Sequence, residues 1–175
     1  MSTAAANMDP DLGSSRIDAA WEALRRVEDP EIPAVSIVDL GLIRYVKAVP
    51  SGSLEVGLSP TYVGCPATEV IRRSVGEALA NSGIGDFTVA NVLSPAWSSD
   101  WITPEGRRKL NDYGIVPPDR SVPTMRDVRR SHQPIACPHC RSLDTETVSE
   151  FGSTPCKALH RCRACLEPFE YFKCI

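Results

Sequence analysis

The chain has 175 residues, 42% of them hydrophobic and 23% charged, which suffices for one good core and a small appendage but not for two full-sized domains. A formal net charge of −3 gives no electrostatic basis for gripping nucleic acid or an anionic membrane, both of which favour a cationic face. No apolar run approaches the roughly 18 residues needed to span a bilayer, and the N-terminal MSTAAANMDPDLGSS lacks the blocks of a secretory signal. The expected location is therefore the cytoplasm, where seven cysteines more often bind metal or do redox chemistry than form disulfides.

Residues 1–13 are small and polar and are expected to be disordered. Ser15 followed by Asp18 reads as a helix start, and Ile17, Ala20, Trp21, Leu24 and Val27 recur at helical spacing. Asp29-Pro-Glu-Ile-Pro33 stops that helix. Ser36 to Val49 is β-branched and apolar, Pro50-Ser-Gly52 is a turn, and Leu54, Val56 and Leu58 alternate strictly, a strand–turn–strand pattern. From Pro66 the period becomes helical through Val70, Ile71, Val75, Ala78 and Leu79, ending at Asn81-Ser-Gly83. A third strand spans Phe87 to Leu93, and a loop carries Trp97 and Trp101, of which one is expected to seal the core and the other to offer a docking surface. Thr103-Pro-Glu105 caps a last helix running to Tyr113-Gly114. The order αββαβα predicts an α+β sandwich of helices on a small sheet over residues 14–118.

Residues 119–131, proline- and arginine-containing, read as the body of a linker that begins to lose pattern at Ile115. From His132 to the end there are six cysteines in 44 residues. Cys137-Pro-His-Cys140 and Cys162-Arg-Ala-Cys165, 21 residues apart, place two sulfurs each on one ion from tight knuckles, and two knuckles complete a tetrahedron. With hairpin strands over 143–151 and 157–161 and a third over 168–173, a zinc ribbon is the natural reading. Rubredoxin-like iron or an iron–sulfur cluster also suits four thiolates. Structural zinc contributes on the order of 10–16 kcal/mol in small fingers, enough to fold a piece this short. His139 and His160 are not expected to be ligands. Cys156 and Cys174 are left over; a register setting Cys162 against Pro168 makes them face each other as auxiliary thiols, a one-residue slip would put them on opposite faces, and the bland alternative is two small buried hydrophobes. The ribbon carries five basic and five acidic side chains, so the cationic groove of a nucleic-acid binder is missing.

Asp29-Pro-Glu-Ile, Val38-Asp-Leu-Gly-Leu42, Thr61-Tyr-Val-Gly-Cys-Pro66, Ser94-Pro-Ala-Trp97 and Leu110-Asn-Asp-Tyr-Gly-Ile-Val-Pro-Pro118 resemble the MIP18 family (the DUF59 domain) of iron–sulfur cluster assembly factors. With a tail reading Gly152-Ser-Thr-Pro-Cys-Lys-Ala158 and Glu167-Pro-Phe-Glu-Tyr-Phe-Lys-Cys174, the chain is similar, over residues 15–175, to the PaaD family, the D component of bacterial phenylacetyl-CoA epoxidase systems in phenylacetate degradation. The resemblance implies an α+β MIP18-like domain followed by a β zinc ribbon over 132–175. It also implies an accessory role beside oxygenase and reductase components, assisting iron–sulfur or diiron centre assembly through Cys65, with Asp39 and Thr61 in the same pocket and a transient iron or iron–sulfur cluster as cargo.

The residues around Cys65 agree with that role. Placed at the N-terminus of the helix beginning at Pro66, Cys65 would meet unpaired N–H groups and the positive dipole end, which favour the metal-binding thiolate. Asp39, read as ending a β segment before Gly41, would present an oxygen at the same sheet end. The bland alternative is a small buried residue at 65 and a turn former at 39. One cysteine cannot hold a cluster alone, so borrowed ligands or a homodimer would be required. A competing reading is a non-catalytic structural subunit of the oxygenase complex. An independent enzyme finds no support in any nucleophile–base pair, phosphate loop or H-E-x-x-H site.

Overall fold

The alternation of Leu54, Val56 and Leu58 builds β2 (Leu54–Leu58), which pairs antiparallel with β1 (Ile43–Ala48) and sets Val46 opposite Val56. The computed structural model describes residues 10–118 and 135–173. β3 (Phe87–Asn91) returns parallel to β2, Val89 opposite Val56, after a crossover through α2 (Ala67–Asn81). α2 buries Ala67, Ile71, Val75 and Leu79, one residue per turn, and α1 (Pro10–Leu24) adds Ala20, Ala23 and Leu24 to the same cluster. Each fully buried aliphatic side chain here contributes about 1.5–3 kcal/mol. Thr103 caps α3 (Pro104–Asp112), its Oγ1 accepting from Gly106 N at 2.9 Å.

Three expectations need correction. α1 begins at Pro10, so Ser15 lies inside the helix rather than capping it. Proline suits a first helical turn because its fixed φ matches and no N–H is lost; residues 1–9 lie outside the described residues. After a single antiparallel bridge from Ser36 to Glu28, residues 37–41 form turns rather than a strand, so Asp39 does not end a β segment. Asp39 N donates to Ser36 Oγ, and Ser36 N donates to Asp39 Oδ2, both at 3.0 Å. The run is apolar because Ile37, Leu40 and Leu42 are buried from a turn, a case that composition alone cannot distinguish from a strand. Finally, Ile115 and Val116, read as the start of the linker, form a strand, β4 (Ile115–Val116). Two residues show no period; they are a strand because a partner waits for them.

That partner is the cysteine-rich segment. β5 (Thr145–Ser149), β6 (Lys157–Cys162) and β7 (Pro168–Phe172) form an antiparallel sheet, and β4 adds in parallel at the edge of β7 in the order β4-β7-β6-β5. Phe172 and Cys156 belong to the same buried cluster as α1 and α2. Trp97 packs its ring 5.9 Å from Phe172 and donates Nε1 to Leu40 O at 3.0 Å. The ribbon is thus docked through a shared core. Trp97 is buried, while half-buried Trp101 lies under the Arg44 guanidinium, 3.3 Å from its ring centroid.

Candidate functional site

The two knuckles bring four sulfurs together. Sγ atoms of Cys137, Cys140, Cys162 and Cys165 all lie within 4.8 Å of one another. The Cys137–Cys165 separation is 3.7 Å and Cys140–Cys162 is 3.5 Å; sulfurs about 2.3 Å from a tetrahedral zinc stand roughly 3.8 Å apart. Each knuckle ends on a residue in the left-handed region directly after its second cysteine, Arg141 at φ 65° and Leu166 at φ 66°. That reversal turns backbone N–H groups toward sulfur. Cys165 N points at Cys162 Sγ at 3.4 Å, and this contact with Ala164 N holds the Cys162 thiol down to about 7 against the opposing effect of burial. The residues fit a four-thiolate metal ion, which would deprotonate all four and tie β5–β7 to one point. His160 is not among the ligands; it is buried between Phe169 and Tyr171, and burial lowers its pKa.

Cys65 occupies a different place. It is half-buried in the loop between β2 and α2, one residue before the cap Pro66, and its carbonyl accepts from Thr68 N at 3.1 Å. It therefore precedes the N-cap position expected for it, because Pro66 with helical dihedrals takes that position. Gly64 before it has φ 86° with nothing within 4 Å of where a Cβ would stand. Cys65 and Thr61 line a cavity of about 20 Å³ with apolar walls from Ile32, Leu58 and Phe172. Four further polar residues line it: Asp29, Glu31, Thr68 and Cys156. Asp29 Oδ1 accepts from Glu31 N and Ile32 N, both at 2.9 Å, folding the Asp-Pro-Glu-Ile segment into a turn whose two acidic residues line the cavity. Burial raises the Asp29 carboxyl; burial and then Asp29 raise Glu31. Tyr62 is pushed up to about 12 by burial and then by Cys65, with smaller contributions from Cys156 and Glu31.

Asp39 is not in this cavity. Its carboxylate accepts from Lys109 Nζ at 2.7 Å and faces Thr103 Oγ1 at 3.5 Å, tying the 37–41 turn to α3. Burial pushes its pKa up, but the Lys109 ammonium and the Ser36 N–H outweigh that and hold it below the usual carboxylate range. The register that made Cys156 face Cys174 is also corrected. Pro168 lies opposite Arg161, not Cys162, and Lys173 N donates to Cys156 O at 2.9 Å. The second knuckle closes one residue tighter, Cys162 N to Glu167 O at 3.0 Å, because Leu166 adopts the left-handed conformation. Cys174 lies outside the described residues. Sequence reasoning took Asp29 and Glu31 as a helix stop and as part of a family motif but not as site residues; two carboxylates flanking a proline were the available signal.

Among the described residues, no helix is long and apolar enough to cross a membrane. Residues 17–93 match the model of the "Iron-sulfur cluster assembly protein" family, and residues 121–173 match the "PaaD zinc beta ribbon domain". The fold is similar to the crystal structure of a DUF59 domain from Bacillus anthracis, with a TM-score of 0.54 and 25% identity over 58% of this chain and 97% of that one. A Bacillus subtilis (strain 168) relative, "Fe-S protein maturation auxiliary factor YitW", is 37% identical over 45% of this chain and 76% of its own length. An Escherichia coli (strain K12) relative, the D component of a "Putative 1,2-phenylacetyl-CoA epoxidase", is 44% identical over 94% of this chain and 96% of its own. Identity at that level across both halves in order shows that the chain belongs to the PaaD family, an iron–sulfur-assembly-type domain followed by a zinc beta ribbon.

Proposed function

We propose that the chain is an accessory protein of a phenylacetyl-CoA epoxidase system, assisting assembly of the iron–sulfur or diiron centres of the oxygenase and reductase components through the Cys65 thiol. The observation that carries this reading is the placement of Cys65: half-buried, at the mouth of an apolar-walled cavity, behind a glycine that leaves open space for another chain's backbone. A sulfur in that position is shielded from bulk water yet within reach of a recipient. The relatives, one named as an epoxidase component and the other as an Fe–S maturation factor, support the same reading. The ribbon then holds one structural zinc, since four sulfurs within 4.8 Å of one another would fill a tetrahedral shell and leave no open position for chemistry.

The test is the metal content of the clients. Oxygenase and reductase components produced alongside wild type or Cys65→Ala are purified anaerobically, and iron and acid-labile sulfide are counted per polypeptide. Cys65→Ala is expected to leave this protein folded and its clients under-loaded. Fully loaded clients with both forms, together with a stable complex of fixed stoichiometry, would overturn the reading in favour of a purely structural subunit.

A further inference from the structure

A second thiol opens into the cavity beside Cys65, and it comes from the other half of the chain. We propose that Cys65, Cys156 and Glu31 form a binding site for a single divalent first-row transition-metal ion. That the ion is iron(II) in transit rests on the accessory reading above; the site itself does not.

Docking of the ribbon delivers Cys156. Its carbonyl accepts from Lys173 N, its neighbour Lys157 N donates to Thr154 O at 3.1 Å, and Thr154 Oγ1 stands 3.0 Å from its sulfur, so a buried thiol is held at the boundary by backbone on both sides. The partner sulfur that a lone Cys65 would have to borrow from another chain is thus supplied within this one.

The surroundings select a cation. Asp29 and Glu31 line the cavity together with two thiols, while Lys157, whose charge acts on both carboxyls, is buried and already paired with Glu170 at 2.8 Å. Two carboxyl groups and two thiols behind apolar walls are costly to ionise together unless a positive charge joins them. The donor set, two sulfurs and a carboxylate oxygen, suits borderline ions such as iron(II), cobalt(II) and zinc(II) rather than magnesium or calcium. Size favours an ion over a cluster: a cavity of about 20 Å³ has room for about one water-sized sphere, enough for one ion.

Among the described residues only the ribbon thiols have all their ligand atoms within 4.8 Å of one another, so this second site must close on its ion. The half-exposed Glu31 side chain is the group free to swing. Binding exchanges two S–H protons for one M²⁺ and leaves a fourth position for water or for a ligand from a recipient. An open position lets the ion leave again, unlike the closed ribbon centre.

The full chain, with zinc in the ribbon, is titrated anaerobically with cobalt(II). A second metal equivalent should bind with a sulfur-to-cobalt charge-transfer band of two-thiolate intensity. Cys65→Ser and Cys156→Ser should each halve that band and weaken binding by about tenfold or more, and Glu31→Gln should weaken binding while keeping the band. X-ray absorption at the cobalt edge of the wild type counts sulfur ligands with no substitution at all, so a misfolded variant cannot hide the answer. Two sulfurs are expected. One or none, or a second equivalent indifferent to Cys156→Ser, overturns the site. Two sulfurs at cobalt with fully loaded clients in Cys65→Ala would keep the site and sink the accessory reading; depleted clients with no sulfur at cobalt would do the reverse.

Discussion

The Trp97 indole and the Phe172 ring meet with centroids 5.9 Å apart and planes inclined by 50°, across the boundary between the α+β domain and the ribbon. Both are buried, Trp97 at 3% exposure and Phe172 at 1%. Either change to alanine should cost about 3–5 kcal/mol. In a double-mutant cycle by urea denaturation at constant ribbon zinc, the pair should show a coupling of about 0.5–1.5 kcal/mol. Strictly additive losses would mean that the two halves do not hold each other through these rings.

Asp39 should behave as a structural residue. Asp39→Asn removes the charge facing Lys109 Nζ and replaces one of the two oxygens that serve Lys109, Ser36 N and Thr103 Oγ1 by an NH2 donor, and should destabilise by about 1–3 kcal/mol; the ion-pair share is at most about 1 kcal/mol, because the lysine side chain is 35% exposed. The sign with pH follows from a folded pKa held below the ordinary 3.8. The stabilisation is present above that value and disappears as pH falls through the folded pKa. Both proteins lose ribbon metal in acid, so the quantity to follow is the difference between wild type and Asp39→Asn, which should shrink below pH 3.8. A difference that stays constant into acid contradicts the pairing.

Two glycines offer a matched comparison. A Cβ at Gly41 (φ 68°) would stand 2.5 Å from Trp101 O, whereas one at Gly83 (φ 78°) would meet nothing within 4 Å. Gly83→Ala should cost only the left-handed backbone penalty, about 1–2 kcal/mol. Gly41→Ala adds overpacking of about 1–3 kcal/mol and should displace the turn that carries Trp101. Equal shifts in thermal midpoint for the two variants would show that the approach of Trp101 to Gly41 is not tight.

Stripping the ribbon metal should act locally first. With a strong chelator, or with Cys137→Ser, amide protection in β5 and β6 should fall toward that of an unfolded hairpin, while α1 and α2 retain theirs. Cys137 is fully buried, so its hydroxyl replacement leaves no fourth thiolate to compensate. Hydrogen exchange resolved by peptide gives the answer. Unchanged protection in β6 after complete metal loss would leave the metal without a structural role.

Much of this arrangement is legible in local sequence. The alternation at Leu54, Val56 and Leu58 reports the buried face of β2, and the helical period through Ile71, Val75 and Leu79 that of α2, although Val70, read on the same face, is exposed and Ala67 is buried in its stead. Thr103-Pro104 caps its helix through a contact three residues away, and the two Cys-x-x-Cys knuckles close within four residues each. The 37–41 turn and β4 escaped that reading because neither carries a period. An apolar run shows burial without showing shape, and a two-residue strand exists only where β7 already lies beside it.

The neighbourhood of Cys65 lies beyond local reading for the same reason. Sequence by itself determined that this cysteine stands between a glycine and a helix-opening proline, and that four later thiols pair up in two metal-binding knuckles, because those features depend on contacts within a few residues. Only the tertiary structure decided that Asp39 serves α3 instead of the cavity, and that Cys156 arrives beside Cys65 from 91 residues away. That meeting depends on how the ribbon's buried face, Phe172 and Cys156, packs into a core built by other segments. Burial is non-directional, and no pattern along the chain names the partner that completes it.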